Sequence, residues 1–170
     1  VSSLREAGEF LSGQRPLSAV ETRSWEKDLQ VLPTDNDFKY IKGQFAAKRA
    51  MEIAVAGGHN IIMIGPPGAG KTMLARAVPS IMPSMTFEEA LEVAKIHSVA
   101  GQLTNGFVYR RPFRTPPHSP PVGALTGGGN KVNRGEIVLA HKAVLFLEGL
   151  PEYGSQPRAT LVHPWKAGAL

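Results

Sequence analysis

Between residues 44 and 58 the stretch QFAAKRAMEIAVAGG places Phe45, Ala46, Ala50, Ile53 and Ala54 on one helical stripe, with Lys48, Arg49 and Glu52 facing the other way. That spacing predicts an amphipathic helix, and the Gly57-Gly58 pair predicts its end. The pattern then changes. The run 61-IIMI-64 is short and continuously apolar, as in a strand buried on both faces of a parallel sheet, and 136-EIVLA-140 and 143-AVLFL-147 read as two further strands. Near the start, 3-SLREAGEFLSG-13 predicts a helix with Ser3 as N-cap, Glu6 completing a capping box, Gly13 as the stop, and Leu4, Ala7, Phe10 and Leu11 on the apolar side. Thr86 with Glu89 predicts a second capped helix running through His97. Residues 15–36 read as a linker, residues 98–134 as a long loop-rich insertion, and residues 154–170 show no helical period. Strand, loop, helix, insertion, strand is the order of an α/β fold with a doubly wound parallel sheet. Phe45, Ile53, Met63, Phe146 and Leu147 are the expected core.

Composition narrows the class. The 170 residues are 42% hydrophobic and 19% charged, and 19 Lys and Arg against 14 Asp and Glu give net +5. This is globular composition with a bias toward an anionic partner. Without cysteine there is no disulfide, thiolate metal site or cysteine nucleophile. Neither a membrane-spanning run nor a signal-like start is read, so a cytoplasmic location is expected. The opening Val1 suggests a piece of something larger.

The chemistry concentrates in 65-GPPGAGKT-72, which fits G-x-x-x-x-G-K-[ST] at every fixed position, after a predicted strand and before a predicted helix. In such a loop (Gly65, Pro66, Pro67, Gly68, Ala69, Gly70, Lys71, Thr72) backbone N–H groups curl around phosphates. Lys71 supplies a point charge to the β and γ oxygens, and Thr72 offers its hydroxyl to Mg²⁺. The expected ligands are therefore ATP or ADP with Mg²⁺. Elsewhere, Arg110, Arg111 and Arg114 with Phe113 among them fit either a grip on a DNA backbone or a solvated charge run. Gly127 to Gly129 fit a moving loop or a flexible connection. His97, His118 and His141 lack the paired spacing of a metal site and read as loop or capping histidines.

Taken together, 37-DFKYIKGQFAAKRAMEIAVAGGHNIIMIGPPGAGKT-72, 96-IHSVAG-101, 111-RPFRTPPHS-119, 127-GGG-129 and 135-GEIVLAHKAVLFLEGLPEY-153 resemble the magnesium-chelatase-like AAA+ proteins, in the YifB/ComM branch. Residues 3–13 look like the tail of the Lon-protease-like domain that precedes the ATPase module in that family. The resemblance implies a P-loop NTPase organised as residues 1–34 (end of a preceding domain and linker), 35–153 (a partial, truncated nucleotide-binding domain) and 154–170 (a divergent tail). It implies a homo-oligomeric ring in full-length relatives, and DNA translocation or branch migration, with no membrane partner. Ile41 to Gln44 would lie near the adenine, and the 98–134 insertion would project into the ring.

Three departures qualify what the resemblance implies. Glu148 stands where the family has the Walker B aspartate that helps hold Mg²⁺, and Gly149 stands where it has the glutamate that polarises the attacking water. After Tyr153 the expected long helix, sensor strand, arginine finger and lid are not recognisable. Pro117 replaces a second histidine before His118. Nucleotide binding is therefore expected, with turnover near background, and Glu152 is the one nearby acid able to substitute. The alternatives are a nucleotide-dependent assembly module and a degenerate product without catalytic activity.

Overall fold

The computed structural model describes residues 3–19, 36–103, 107–117, 120–128 and 133–166. Within the chain two compact units are distinguished, Val1–Val31 and Leu32–Leu170. In the first, helix α1 (Leu4–Leu11) begins as the pattern predicts, with the Glu6 N–H donating to Ser3 Oγ at 3.2 Å and Gly13 left-handed beyond its end. Its apolar residues Leu4 and Leu11 are exposed.

The second unit is a mixed α/β structure. Helix α2 (Phe45–Gly57) is followed by α3 (Lys71–Ala77) and α4 (Phe87–Val99), then strand β1 (Phe113–Arg114) and the short helix α5 (Val122–Thr126). The hairpin β2 (Gly127–Gly128) and β3 (Asn133–Arg134), helix α6 (Glu136–Leu139), strand β4 (Val144–Leu145) and helix α7 (Ser155–Lys166) complete it. Strands β1 and β4 pair in parallel, Phe113 with Val144 and Arg114 with Leu145, and the connection between them carries α5, the hairpin and α6. Gly127 pairs with Arg134 and Gly128 with Asn133 in antiparallel register. Gly135, just after the hairpin, has no alternative: a Cβ there would collide with the backbone of Leu125, Thr126 and Gly127.

One core cluster joins Phe38 and Ile41 to Met51 of α2 and to Leu74 and Ala77 of α3, with Ala47, Met63, Val78 and Ile81 packed on it. The Phe38 N–H donates to Ser80 Oγ at 3.1 Å, and Ser80 donates to the Ala77 carbonyl at 2.7 Å, which ties the turn before α2 to the end of α3. A second set of buried residues comprises Ala90, Val93, Ala94 and His97 of α4 together with Leu125, Leu139, Ala140, Tyr153 and Leu161. Among the described residues no helix is long and apolar enough to cross a membrane.

Several expectations from the pattern need correction. The buried face of α2 is Ala47–Met51, one position round from the expected stripe, so Phe45 and Ile53 are 81% and 55% exposed. Alanine supplies apolar positions on every side of this helix, and periodicity alone cannot choose between them. Residues 61–64 are not a strand, and Ile61, Ile62 and Ile64 are exposed, because no described segment pairs with them. Residues 136–139 form a helical turn, started by extended Gly135 with Glu136 at the favourable end. Residues 155–166 form a helix that includes two prolines: Pro157 in the first turn removes an N–H that has no intrahelical partner anyway, whereas Pro164 near the other end forgoes one intrahelical bond. The insertion also carries β1, α5 and the hairpin, while Phe146 and Leu147 are half-buried and Met63, also half-buried, packs on the core cluster. His118, Gly129 and the proposed boundary at Thr34 lie outside the described residues.

An ion-pair network holds the insertion against α4. Arg111 donates to Glu89 Oε2 at 2.8 Å, to the Pro83 carbonyl at 2.7 Å and to the Lys142 carbonyl at 3.0 Å, while Lys142 Nζ lies 3.6 Å from Glu89 Oε1. Glu89 also closes the capping box with Thr86. Burial pushes the Glu89 carboxyl up, but the bond to Thr86 and the charges of Arg111 and Lys142 outweigh it and hold the group below its ordinary value of 4.5. A lowered folded pKa gives stabilisation that is present above the unfolded value and lost as pH falls through the folded one. Glu89→Gln is therefore expected to lower stability by about 1–3 kcal/mol at neutral pH. The gap to wild type should close as the pH drops below 4.5. Urea unfolding at neutral and acidic pH measures this, and a gap independent of pH would show that charge is not what the network uses.

Candidate functional site

The glycine-rich loop takes its shape from two left-handed glycines, Gly68 at φ 77° and Gly70 at φ 83°. No atom would obstruct a Cβ at Gly68, and only the flexible Met73 Cε lies near Gly70, so glycine is needed for backbone conformation and not for room. Gly70 is the N-cap of α3 and provides no side-chain cap. Lys71 folds back over the loop and its ammonium donates to the Gly65 and Pro66 carbonyls, each at 2.8 Å. These acceptors are neutral, so an anion arriving at the loop competes for the ammonium with an advantage in charge.

Thr72 Oγ1 donates to Glu148 Oε1 at 2.9 Å across 76 residues of chain. The two residues assigned from sequence to a metal site are thus brought together. Glu148 is carried past β4, which is fixed to β1 by the Val144 N–H to Pro112 carbonyl bond at 3.0 Å and the Phe146 N–H to Arg114 carbonyl bond at 2.8 Å. The Phe113 and Phe146 rings stack at 6.0 Å, and the Arg76 guanidinium of α3 lies 5.7 Å from the Phe113 ring centre. Helix α3 and strand β4 are therefore linked through β1 as well as directly. The extra methylene of Glu148 does not stop its carboxylate reaching Thr72.

Gly149 is left-handed, at φ 66° and ψ 36°, and opens the turn Leu150–Glu152. It offers no side chain, and Glu152 is exposed at the end of that turn. Beside the loop is a cavity of about 260 Å³ lined by Gln44, Met51, Met63, Gly65, Lys71 and Leu74 among others. Ile41, assigned by resemblance to the adenine region, is buried in the core cluster.

The arginine cluster is divided by the fold. Arg110 is exposed. Arg111 is held by Glu89 and two carbonyls with its side chain 12% exposed. Arg114 forms a two-pronged pair with Glu136, both bonds 2.8 Å, and a third bond to Gln102 at 3.1 Å. The Glu136 carboxylate raises the Arg114 pKa. Sequence spacing shows the three charges but not the acids opposite them. His97 is buried within α4 with Nε2 3.1 Å from the Leu139 carbonyl, and His141 Nε2 lies 3.0 Å from Glu92 Oε2. Among the described residues no cluster of three or more His, Asp or Glu is arranged to hold a metal ion.

The family model described as "Magnesium chelatase, subunit ChlI" matches residues 37–170, the whole stretch from the turn before α2 onward. The chain belongs to this family. Its YifB/ComM branch is indicated by YifB of Escherichia coli K12, 41% identical over 162 residues that cover 95% of this chain and 31% of that one. Competence protein ComM of Haemophilus influenzae is 39% identical over 170 residues, 99% of this chain and 33% of its own. An archaeal Lon protease of Methanothermobacter thermautotrophicus is 24% identical over 141 residues, 83% of this chain and 18% of that protein. The chain spans about a third of the length of YifB and ComM. The match extends through α7, beyond Tyr153 where the resemblance read from the residues stopped.

The left-handed turn at Gly149 gives a direct expectation. Gly149→Ala should destabilise the fold by about 1–2 kcal/mol through backbone strain, with Gly149→Asn costing less because asparagine tolerates this region. Thermal or urea unfolding of the two variants measures it, and equal stability for all three chains would mean the turn is not held left-handed.

Proposed function

We propose that this chain is the nucleotide-binding portion of a YifB/ComM-type AAA+ protein, a P-loop NTPase whose sheet is doubly wound. The Thr72–Glu148 hydrogen bond carries the reading, because it joins a hydroxyl that ends the glycine-rich loop to a carboxylate in the turn just past strand β4. Residues 65–72 would hold the phosphates of ATP or ADP, with Lys71 turning from the Gly65 and Pro66 carbonyls to the β and γ oxygens. The donors at Thr72 and Glu148 are both oxygen, which suits a hard cation such as Mg²⁺. When bound, the cation would neutralise charge on the phosphates.

Binding and turnover separate at Gly149. No side chain there can orient a water, and an absent general base costs on the order of 100- to 10,000-fold in rate. ATP hydrolysis by this chain is therefore expected near background, while nucleotide binding persists. In the longer relatives a homo-oligomeric ring is the expected setting. Isothermal titration with MgATP should show binding that weakens about 10-fold or more in Lys71→Ala. Equal binding by both chains removes the loop as the site, and robust Lys71-dependent phosphate release overturns the assignment of Gly149 as the missing catalytic position.

Similarity to the competence protein ComM, together with net charge +5, supports a partner role for DNA. Arg110 is the arginine of its cluster best placed to meet a phosphate, since Arg111 and Arg114 serve Glu89 and Glu136. Arg110→Ala should weaken DNA binding and reduce the slope of log affinity against log salt by about 1 without changing stability, whereas Arg111→Ala or Arg114→Ala should lower stability. Fluorescence anisotropy over a salt series, alongside unfolding, tests this. Binding that does not respond to salt removes DNA from the reading.

A further inference from the structure

Gln44 has a backbone that glutamine rarely adopts and a side chain that does not serve its own helix. Its φ of 53° and ψ of 38° are left-handed, and it directly follows left-handed Gly43 at φ 69°. As N-cap of α2 it makes no side-chain cap bond. Instead Nε2 donates to the Ala69 carbonyl at 3.2 Å, 25 residues along the chain and in the middle of the glycine-rich loop. Left-handed non-glycine residues are retained only where the surroundings hold them. Here the Gln44 carbonyl accepts from the Lys48 N–H at 2.9 Å, the Lys48 ammonium donates to the Ile41 carbonyl, and Ile41 and Met51 on either side are buried in the core cluster. Gln44 is therefore a short arm mounted on a rigid base.

What that arm fixes follows from peptide geometry. In a trans peptide the C=O and the next N–H lie in one plane and point in opposite directions. Holding the Ala69 carbonyl therefore sets the direction of the Gly70 N–H, between the two left-handed glycines that would otherwise leave this peptide free to turn. Among the described residues the Gly70 N–H has no acceptor. Gln44 also lines the cavity beside the loop together with Lys71 and Gly65.

We propose that Gln44 is a positioning residue that turns the Ala69–Gly70 peptide so that the Gly70 N–H is presented to a phosphate oxygen; this role rests on the nucleotide-binding reading above. The test uses two variants with opposite effects on the backbone. Gln44→Ala removes the arm and keeps the strained conformation, whereas Gln44→Gly removes the arm and relieves the strain. Gln44→Gly should therefore melt at or above Gln44→Ala, while both lose MgATP affinity to the same extent, on the order of 5-fold for one hydrogen bond. Affinity that tracks melting temperature, with glycine restoring what alanine loses, would make Gln44 merely structural and overturn the proposal. Wild-type binding that is sensitive to Lys71→Ala but unchanged in both Gln44 variants overturns this role alone. A wild-type chain that takes no nucleotide overturns the binding reading and this role together.

Discussion

Everything assigned to the site depends on β4 being held where Glu148 can meet Thr72. A pair of two-residue strands is too little to do this alone, since isolated two-stranded pairs are marginal in water. Side chains supply the rest. Phe113 on β1 stacks with Phe146 just past β4 and takes the Arg76 guanidinium of α3 on its ring, so one aromatic side chain links the strand pair to the helix that carries Thr72. The next residue on β1, Arg114, is anchored through Glu136 to α6, and Arg111 is anchored through Glu89 to α4. Parallel strands need a long crossover, and here the crossover is itself tied back to β1 through Glu136.

Those same pairs explain why a basic stretch in sequence is not a basic patch in space. A solvated ion pair contributes little, but Arg111 and Arg114 are mostly covered and each makes three hydrogen bonds. Removing either would strand a carboxylate in partly dry surroundings, which costs more than the pair itself contributes. The guanidinium groups are thus committed to the fold. Arg110 alone of the three keeps an exposed side chain, because its neighbours already occupy the inward positions.

Where local chemistry determines conformation, the sequence was legible. The Ser3 N-cap, the capping box of Thr86 with Glu89, the stop near Gly13 and the left-handed glycines of the glycine-rich loop follow from the chemistry of residues within a few positions of one another. Glu148 stands out in sequence because an apolar run closes on it, whereas its hydrogen bond to Thr72, 76 residues away, is visible only in the fold. Where conformation depends on distant partners, the sequence is not legible. The run at residues 61–64 has strand composition, yet a strand exists only if something pairs with it, and no described segment does. Ile137 and Val138 favour strands as residue types, but Leu139 is buried in a helical turn whose carbonyl faces His97 of α4. The face of α2 that is buried is set by Met51 fitting against Phe38 and Leu74, a choice that periodicity among alanines does not encode. Gln44 was read only as a residue near the ligand, since neither its left-handed backbone nor its reach to Ala69 is visible without coordinates.

Glycine at position 149 has a structural role of its own, apart from the catalytic reading proposed for that position. Left-handed Gly149 turns the chain abruptly into Leu150–Glu152, and directly after that turn Tyr153 is 1% exposed, with its hydroxyl lacking a partner among the described residues. Burying a phenol without a hydrogen bond costs about 1–3 kcal/mol, so the ring must be held by packing strong enough to offset that loss. Burial also raises its pKa, which keeps the group neutral where it sits. Tyr153 and Leu161 of α7 are both fully buried, so the turn at Gly149 is followed at once by a packed anchor and not by a free tail. A glutamate at position 149 would supply a carboxylate for water, but it would have to adopt a left-handed backbone next to that anchor or displace it. Glycine is thus the residue best suited to the turn at position 149.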